Sequence, residues 1–239
     1  MRALCVCFVC VSIWAVEQPR IGFVCNSQGR VHPIEGLAGS FIAGESVAEA
    51  SEAFASNGVI SVRKTKRTLE LWDAAGAVLG SYPIEPGRIV IGLDQATAVV
   101  YRKSELWTLT ASGLKVLPVN LSGDEVVAVG VGRLAVRHGD GTMAILRITG
   151  SDVIESRTVD PASFLLFGGD GALVTSTGSS VRVLLADGTV WAMELAVKSM
   201  RQMGAGWIHL SSGSKDFALL IRVGADPILY QLPRFLEDR

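Results

Sequence analysis

The chain has 239 residues, 22 basic and 23 acidic side chains for a formal net charge of −1, and 49% hydrophobic residues. That balance excludes the strongly basic surface by which proteins hold nucleic acid through its phosphates, so no nucleic-acid partner is expected. Its 26 glycines, spread with no low-complexity linker, suit one turn-rich β domain, a class that commonly runs to about 200–250 residues as a single unit.

The chain opens on a targeting pattern. Arg2 precedes ALCVCFVCVSIWAV (3–16), a mostly apolar run of 14 residues. A bilayer span needs about 20, whereas this is the length of a secretory apolar region behind a short basic start. Residues 1–16 are therefore predicted to be a signal peptide, giving a secreted or periplasmic protein with no transmembrane span after its removal. Cys5, Cys7 and Cys10 leave with it. Cys25 then stands alone, so no internal disulfide is expected. One cysteine and three histidines do not supply a zinc cluster of the usual spacing.

A hairpin then recurs five times: Ile21–Ile34, Leu69–Tyr82, Leu106–Val119, Met143–Ser156 and Val181–Glu194. Its turn glycines, Gly29, Gly76, Gly113, Gly150 and Gly188, are spaced by 47, 37, 37 and 38 residues. A period near 40 in a strand-rich chain is the signature of propeller blades. Two shorter apolar runs lie between successive hairpins. The first of each pair is SFIAGE (40–45), RIVIGLD (88–94), VVAVGV (126–131), SFLLFGGD (163–170) and WIHLSS (207–212). These continuous apolar runs suit innermost strands buried on both faces. The second is GVISVR (58–63), TAVVYR (97–102), RLAVRH (133–138), ALVTST (172–177) and FALLIRV (217–223), rich in β-branched residues as second strands are. The expectation is an all-β propeller over 20–233, with about five four-stranded blades and a polar tail at 234–239. Pairing of the N- and C-terminal strands would close the ring and remove a free edge. Ala48–Ala55 reads as an insertion with a short helix, and Ile21–Cys25 is left without a place.

The hairpin LELWDAAGAVLGSY resembles a WD-repeat blade: Trp72-Asp73 ends its third strand and Gly76 follows in the turn. RHGDGTMAILRI (137–148) is similar to that family's turn between second and third strands. LLADGTVW (184–191) resembles the turn of exported bacterial propellers with pyrroloquinoline-quinone-type repeats. The chain departs from the first family in carrying one Trp-Asp pair and no Gly-His dipeptide. The resemblance implies a degenerate propeller and no particular activity, since propellers host many functions. Trp72, Trp107 and Trp191 recur near one repeat position and are read as packing between blades.

Chemistry is sparse. Glu45, Asp94 and Asp170 sit at the ends of the apolar inner strands, where Asp and Gly commonly serve turns. His209 is the one histidine assigned to an inner strand and reads as a core or channel residue. GDGT (139–142) and GGDGA (168–172) each offer a single Asp, too few oxygen ligands for calcium. No catalytic, cofactor or metal residues are assigned. One pattern remains. Second strands end in Arg63, Arg102, Arg137 and Arg222, with Lys64, Lys66, Arg67, Lys103 and His138 beside them. Equivalent turns share one face of a propeller, so these nine are predicted to form a basic crown around one mouth of the channel. Glu45, Asp73, Asp94, Asp170 and Asp187 would lie on the opposite face. The expected function is an exported, monomeric, non-enzymatic binding module that docks a protein or acidic ligand on the crown, without a cofactor. The alternative is a degenerate propeller enzyme acting on a polysaccharide or lactone in the channel.

Overall fold

The computed structural model describes residues 19–233 except 120, 122, 150–151 and 169–170. The predicted signal peptide, the polar tail, Gly150 and Asp170 lie outside the described residues. The described chain contains no α-helix, and no helix long and apolar enough to cross a membrane.

Twenty-three strands form six antiparallel sheets, each a meander of consecutive strands. Blade one has three: β1 (Arg20–Cys25), β2 (Val31–Leu37) and β3 (Ser40–Ala43). Blade two has β4 (Ala53–Ser56), β5 (Ile60–Lys64), β6 (Thr68–Asp73) and β7 (Val78–Pro83). Blade three has β8 (Val90–Asp94), β9 (Thr97–Arg102), β10 (Glu105–Thr110) and β11 (Gly113–Pro118). Blade four has β12 (Glu125–Gly130), β13 (Arg133–Arg137), β14 (Met143–Thr149) and β15 (Asp152–Val159). Blade five has β16 (Phe164–Phe167), β17 (Leu173–Ser176), β18 (Ser180–Leu184) and β19 (Val190–Glu194). Blade six has β20 (Ser199–Gly204), β21 (Trp207–Ser211), β22 (Asp216–Arg222) and β23 (Ala225–Gln231).

The fold is the expected all-β propeller, with six blades where five were predicted. The hairpin Ile21–Ile34 begins a sheet of its own, because β2 continues into a third strand through its own tight turn. Two inner strands are disguised by composition. Ala53–Ser56 (AFAS) is β4 and not part of a helix, and Ser199–Gly204 (SMRQMG) is β20. Finding β20 shifts blade six by one strand. Trp207–Ser211 is its second strand and Asp216–Arg222 its third. Ser40–Ala43 is likewise the outer strand of blade one and not an inner strand. The N- and C-terminal strands do not share a blade, since β1 pairs with β2 and β23 with β22.

Strand sense explains where blade one sits. The turns after β4, β8, β16 and β20 converge on one face, where Asn57, Gln95, Gly168 and Ala205 line one depression and Asn57 Nδ2 donates to Gln95 O at 2.7 Å. We name this the turn face and the opposite one the crown face. β1 runs the other way. Arg20, at its start, donates to Ala74 O on the turn face at 3.5 Å, and the turn after its end ties Ser51 N to Gly29 O at 2.9 Å near Arg63. Blade one therefore lacks an innermost strand: β1 has the sense of the second strands, and β2 and β3 follow as its outer two. β4 and β20 touch each other as well as β1, and the channel is walled by β4, β8, β12, β16 and β20. The approach of β1 to β20 is close: a Cβ on Gly22 would fall 1.7 Å from Met203 O, and one on Gly204 1.8 Å from Ile21 O.

Alternating apolar residues give each sheet two packing faces, and buried clusters fill each contact between successive blades. Leu71 and Leu109 pack between blades two and three, Val99 and Leu134 between three and four, and Ala135 and Phe167 between four and five. Val183 and Leu210 pack between five and six. Val24 and Met203 join six to one, and Phe23, Phe54 and Trp72 join one to two.

Candidate functional site

The crown face gathers most of the predicted residues. Arg102 and Arg137 end β9 and β13, and Arg63 is next to last in β5, three second strands of the same sense. Their surroundings are not those of a free positive patch. Arg63 Nη1 lies 3.0 Å from Glu70 Oε2, its cross-strand neighbour. Its Nε donates to Ser51 Oγ at 3.0 Å, and Nη2 donates to Glu49 O. The same Glu70 oxygen accepts from Trp72 Nε1 at 3.1 Å, and the guanidinium sits 5.6 Å from the Trp72 ring centre. Blade three repeats part of this. Trp107 Nε1 donates to Glu105 Oε2 at 2.9 Å beneath Arg102, 5.8 Å from the ring, while Arg102 pairs with Glu85 at 2.9 Å. Lys103 shares that Glu85 oxygen. Both tryptophans belong to packed cores, and the half-buried Trp191 packs on the cluster between blades five and six.

Blade four uses other partners. Arg137 pairs with Glu125 at 2.8 Å and donates to Ala162 O at 2.9 Å, bracing the link into blade five. Arg88 pairs with the other Glu125 oxygen. His138 Nδ1 lies 2.9 Å from Asp124 Oδ1. Lys64 is buried and pairs with Glu52. Lys66 and Arg67 stand exposed in the turn after β5. The crown is thus laced with carboxylates. Hydrogen bonds and charges from Lys103 and Arg102 hold Glu85 below the usual carboxylate range. The Arg88 hydrogen bond does the same for Glu125 against partial burial, with help from Arg137.

Arg222 does not join them. It ends a third strand, so it lies on the turn face, lining a shallow cavity with Ala172, Leu185 and Asp187. Glu45 follows β3, which has the sense of β1, and so belongs to the crown side and not with Asp94. Asp73 and Asp187 serve turns: Asp73 Oδ1 accepts from Ala75 N and Ala77 N at 2.9 and 2.8 Å, and Asp187 from Thr189 N at 2.8 Å. His209 lies on the second strand β21, buried, 2.8 Å from Asp216 Oδ1. Burial alone would raise the Asp216 carboxyl; the hydrogen bonds and charge from His209, with Ser211, outweigh it.

The channel holds the features that sequence reasoning missed. A cavity of about 370 Å³ is lined by the five inner strands and opens beside Glu52, Arg88 and Ser199 at the crown. Arg201, half-buried, is one of its lining residues, and its side chain lies beside the Cys25 thiol of blade one. Burial pushes that thiol up, opposed by Arg201. Deeper in, Gln202 closes the passage. Its Oε1 accepts from Leu93 N at 3.0 Å, and its Nε2 donates to Leu93 O and Phe167 O, each at 3.2 Å. One side chain from β20 thereby bridges β8 and β16, and it lines both the crown cavity and the turn-face depression. No group of three or more potential metal ligands occurs among the described residues.

No family model matches the chain, and no curated protein matches it. Solved structures do. It is similar to PorZ, a bacterial surface component of the type-IX secretion system of Porphyromonas gingivalis, with 11% identity, a TM-score of 0.53, and 92% of this chain matched. The chain spans 38% of the length of that protein. The WD40 β-propeller domain of Doa1 matches with 10% identity over 82% of this chain and 88% of its own, at a TM-score of 0.48. Virginiamycin B lyase from Staphylococcus aureus matches with 11% identity over 91% of this chain and 85% of its own, at 0.47. At these identities the likeness is one of fold. Six radial sheets and a decayed repeat make this chain a degenerate β-propeller.

Proposed function

We propose that this chain is an exported binding propeller that docks a protein or acidic ligand on its crown face. The observation that supports this reading is Arg201. It lines a blind cavity at that face, and among the described residues no carboxylate forms an ion pair with it. A half-buried guanidinium of this kind suits an inserted carboxylate. Around the mouth, Lys66 and Arg67 are exposed with no ion pair to a described carboxylate, while the exposed Lys103 and Arg88 are paired with Glu85 and Glu125; such rim charges speed encounter more than they tighten the complex. The paired Arg63, Arg102 and Arg137 shape that rim instead of supplying free charge. The apolar run 3–16 supports a secreted or periplasmic location.

Fluorescence anisotropy of a labelled oligoglutamate peptide tests the reading, alongside affinity capture from the native envelope fraction. R201Q is expected to weaken peptide binding at all salt concentrations. K66Q/R67Q/K103Q is expected to weaken it mainly at low ionic strength. Equal retention of peptide and envelope partners by all three proteins would move the docking surface off the crown.

A further inference from the structure

Blade four carries a second cationic cluster, and it is built differently. Arg133 on β13 lies directly opposite Arg147 on β14, and Arg157 on β15 lies opposite Ile145, two residues from Arg147 on the same face. Cross-strand partners share a face of a sheet, so all three guanidinium groups project toward blade five. They line one cavity of about 330 Å³ with Gly132, Ser156 and Gly171. Like charges directly opposite one another destabilise a sheet, yet no described carboxylate forms an ion pair with any of the three. On the crown, by contrast, Arg63, Arg102 and Arg137 each have a glutamate. Arg133 is also fixed in place: half-buried, its guanidinium sits 4.3 Å from the centre of the Phe167 ring. The Ser156 hydroxyl is spent on Ile145 O at 2.8 Å, at a register shift in β15 that brings Arg157 opposite Ile145. Burial lowers Arg133 below the usual guanidinium range, Asp94 opposing and Arg157 reinforcing the shift.

We propose that the cavity between blades four and five binds the phosphate group of a small ligand, held by Arg133, Arg147 and Arg157. Planar guanidinium forks match tetrahedral oxyanions in a way ammonium groups do not. Two to three negative charges would convert a repulsive register into an attractive one. The cavity is of the size of small-ligand sites, about 300–1,000 Å³, so it has room for more than a bare anion. It faces away from the crown mouth, and its occupancy is independent of docking there.

Isothermal titration calorimetry on the purified chain tests this. The probes are inorganic phosphate, inorganic pyrophosphate and glycerol 3-phosphate, each run against sodium chloride at matched ionic strength. Saturable binding of at least one is expected, weakened about tenfold for each guanidinium removed in R147Q/R157Q. R147K/R157K, which keeps charge but loses the forks, is expected to fall between. K66Q/R67Q/K103Q on the crown is expected to bind as wild type, which separates this site from the docking face. Without ligand, R147Q/R157Q is expected to melt no lower than wild type, since a like-charge register has been relieved. Preference for glycerol 3-phosphate assigns an esterified phosphate; preference for the inorganic probes assigns the free anion. If the double variant does not fold, R157Q alone gives the same reading from an exposed strand. The absence of saturable heat with all three probes, or heat unchanged in the variants, overturns the site.

Discussion

Gln202 is the side chain whose loss has the most calculable effect. It makes three hydrogen bonds to backbone groups of β8 and β16 and is 7% exposed. Q202L keeps much of the volume and removes all three. A typical net contribution is about 1 kcal/mol per bond, and a buried group left unpaired costs about 1–3 kcal/mol. The cavities on either side admit water that can serve Leu93 O and Phe167 O in part, so the total should be near the lower sum, about 3 kcal/mol. In a domain of this size that corresponds to roughly 6–12 °C in Tm. Urea unfolding and thermal melting read both quantities. Q202E supplies a control of opposite electrical character. Its carboxylate still accepts from Leu93 N but turns lone pairs toward two carbonyl oxygens, which raises its folded-state pKa above the unfolded value. The folded state then holds more protons, so Q202E stability should be greatest at low pH and fall as pH rises through the shifted pKa. A Q202L variant within about 0.5 kcal/mol of wild type, or a Q202E variant insensitive to pH, would refute the bridging role.

Four further outcomes are expected. R63Q should destabilise the protein, by about 1.5–3 kcal/mol for each charged hydrogen bond lost, because Arg63 is tied to Glu70, Ser51 and Trp72; chemical denaturation measures it. Trp72→Ala should cost about 3–5 kcal/mol by leaving a void between blades one and two, read as a lower melting temperature. Gly204→Ala forces a methyl group into Ile21 O and should cost at least about 1–3 kcal/mol, with hydrogen exchange rising first in β1 and β2. His138 should titrate above its ordinary 6.5, chiefly through its hydrogen bond to Asp124. Its folded pKa being raised, the stabilisation is present at low pH and lost as pH rises through that pKa. NMR titration of D124N should show the value moving back toward 6.5.

The recurring hairpins were legible because alternation, turn glycines and spacing all agree at Leu69–Tyr82, Leu106–Val119 and Val181–Glu194. The strands that escaped are short or poor in β-branched residues. AFAS carries two alanines, and SMRQMG carries Arg201 and Gln202 in its middle. Such side chains read as loop because their partners, Leu93 and Phe167, are distant in sequence. Missing β20 displaced blade six by one strand, and an error of one strand exchanges faces. That is why Arg222 was grouped with Arg63, Arg102 and Arg137. The grouping of those three was sound, since second strands end together. Their neutralisation was not legible. Glu70 and Glu125 stand opposite Arg63 and Arg137 on neighbouring strands of the same blade, and Glu85 reaches Arg102 from the link before β8, so the pairing depends on strand register and link geometry, which the hydrophobic pattern alone does not set.

Blade one has a consequence for how the ring is made. Blades two to six are meanders, each strand bonding to its immediate successor, and such local contacts form early and fast. The contacts that seat β1 are of another kind: Gly22 meets Met203, and Ile21 meets Gly204, across most of the described chain. During synthesis the first sheet leaves the ribosome before its second neighbour exists. It can pack on β4 once that strand is made, but the seam with β20 must wait until the last blade has formed. Of the six blades, the one translated first is therefore among the last to be locked in place. Until then the apolar flank that will carry Val24 and Ile34 against Met203 stands open, and that interval, more than the finished ring, is where this chain is exposed to misassembly.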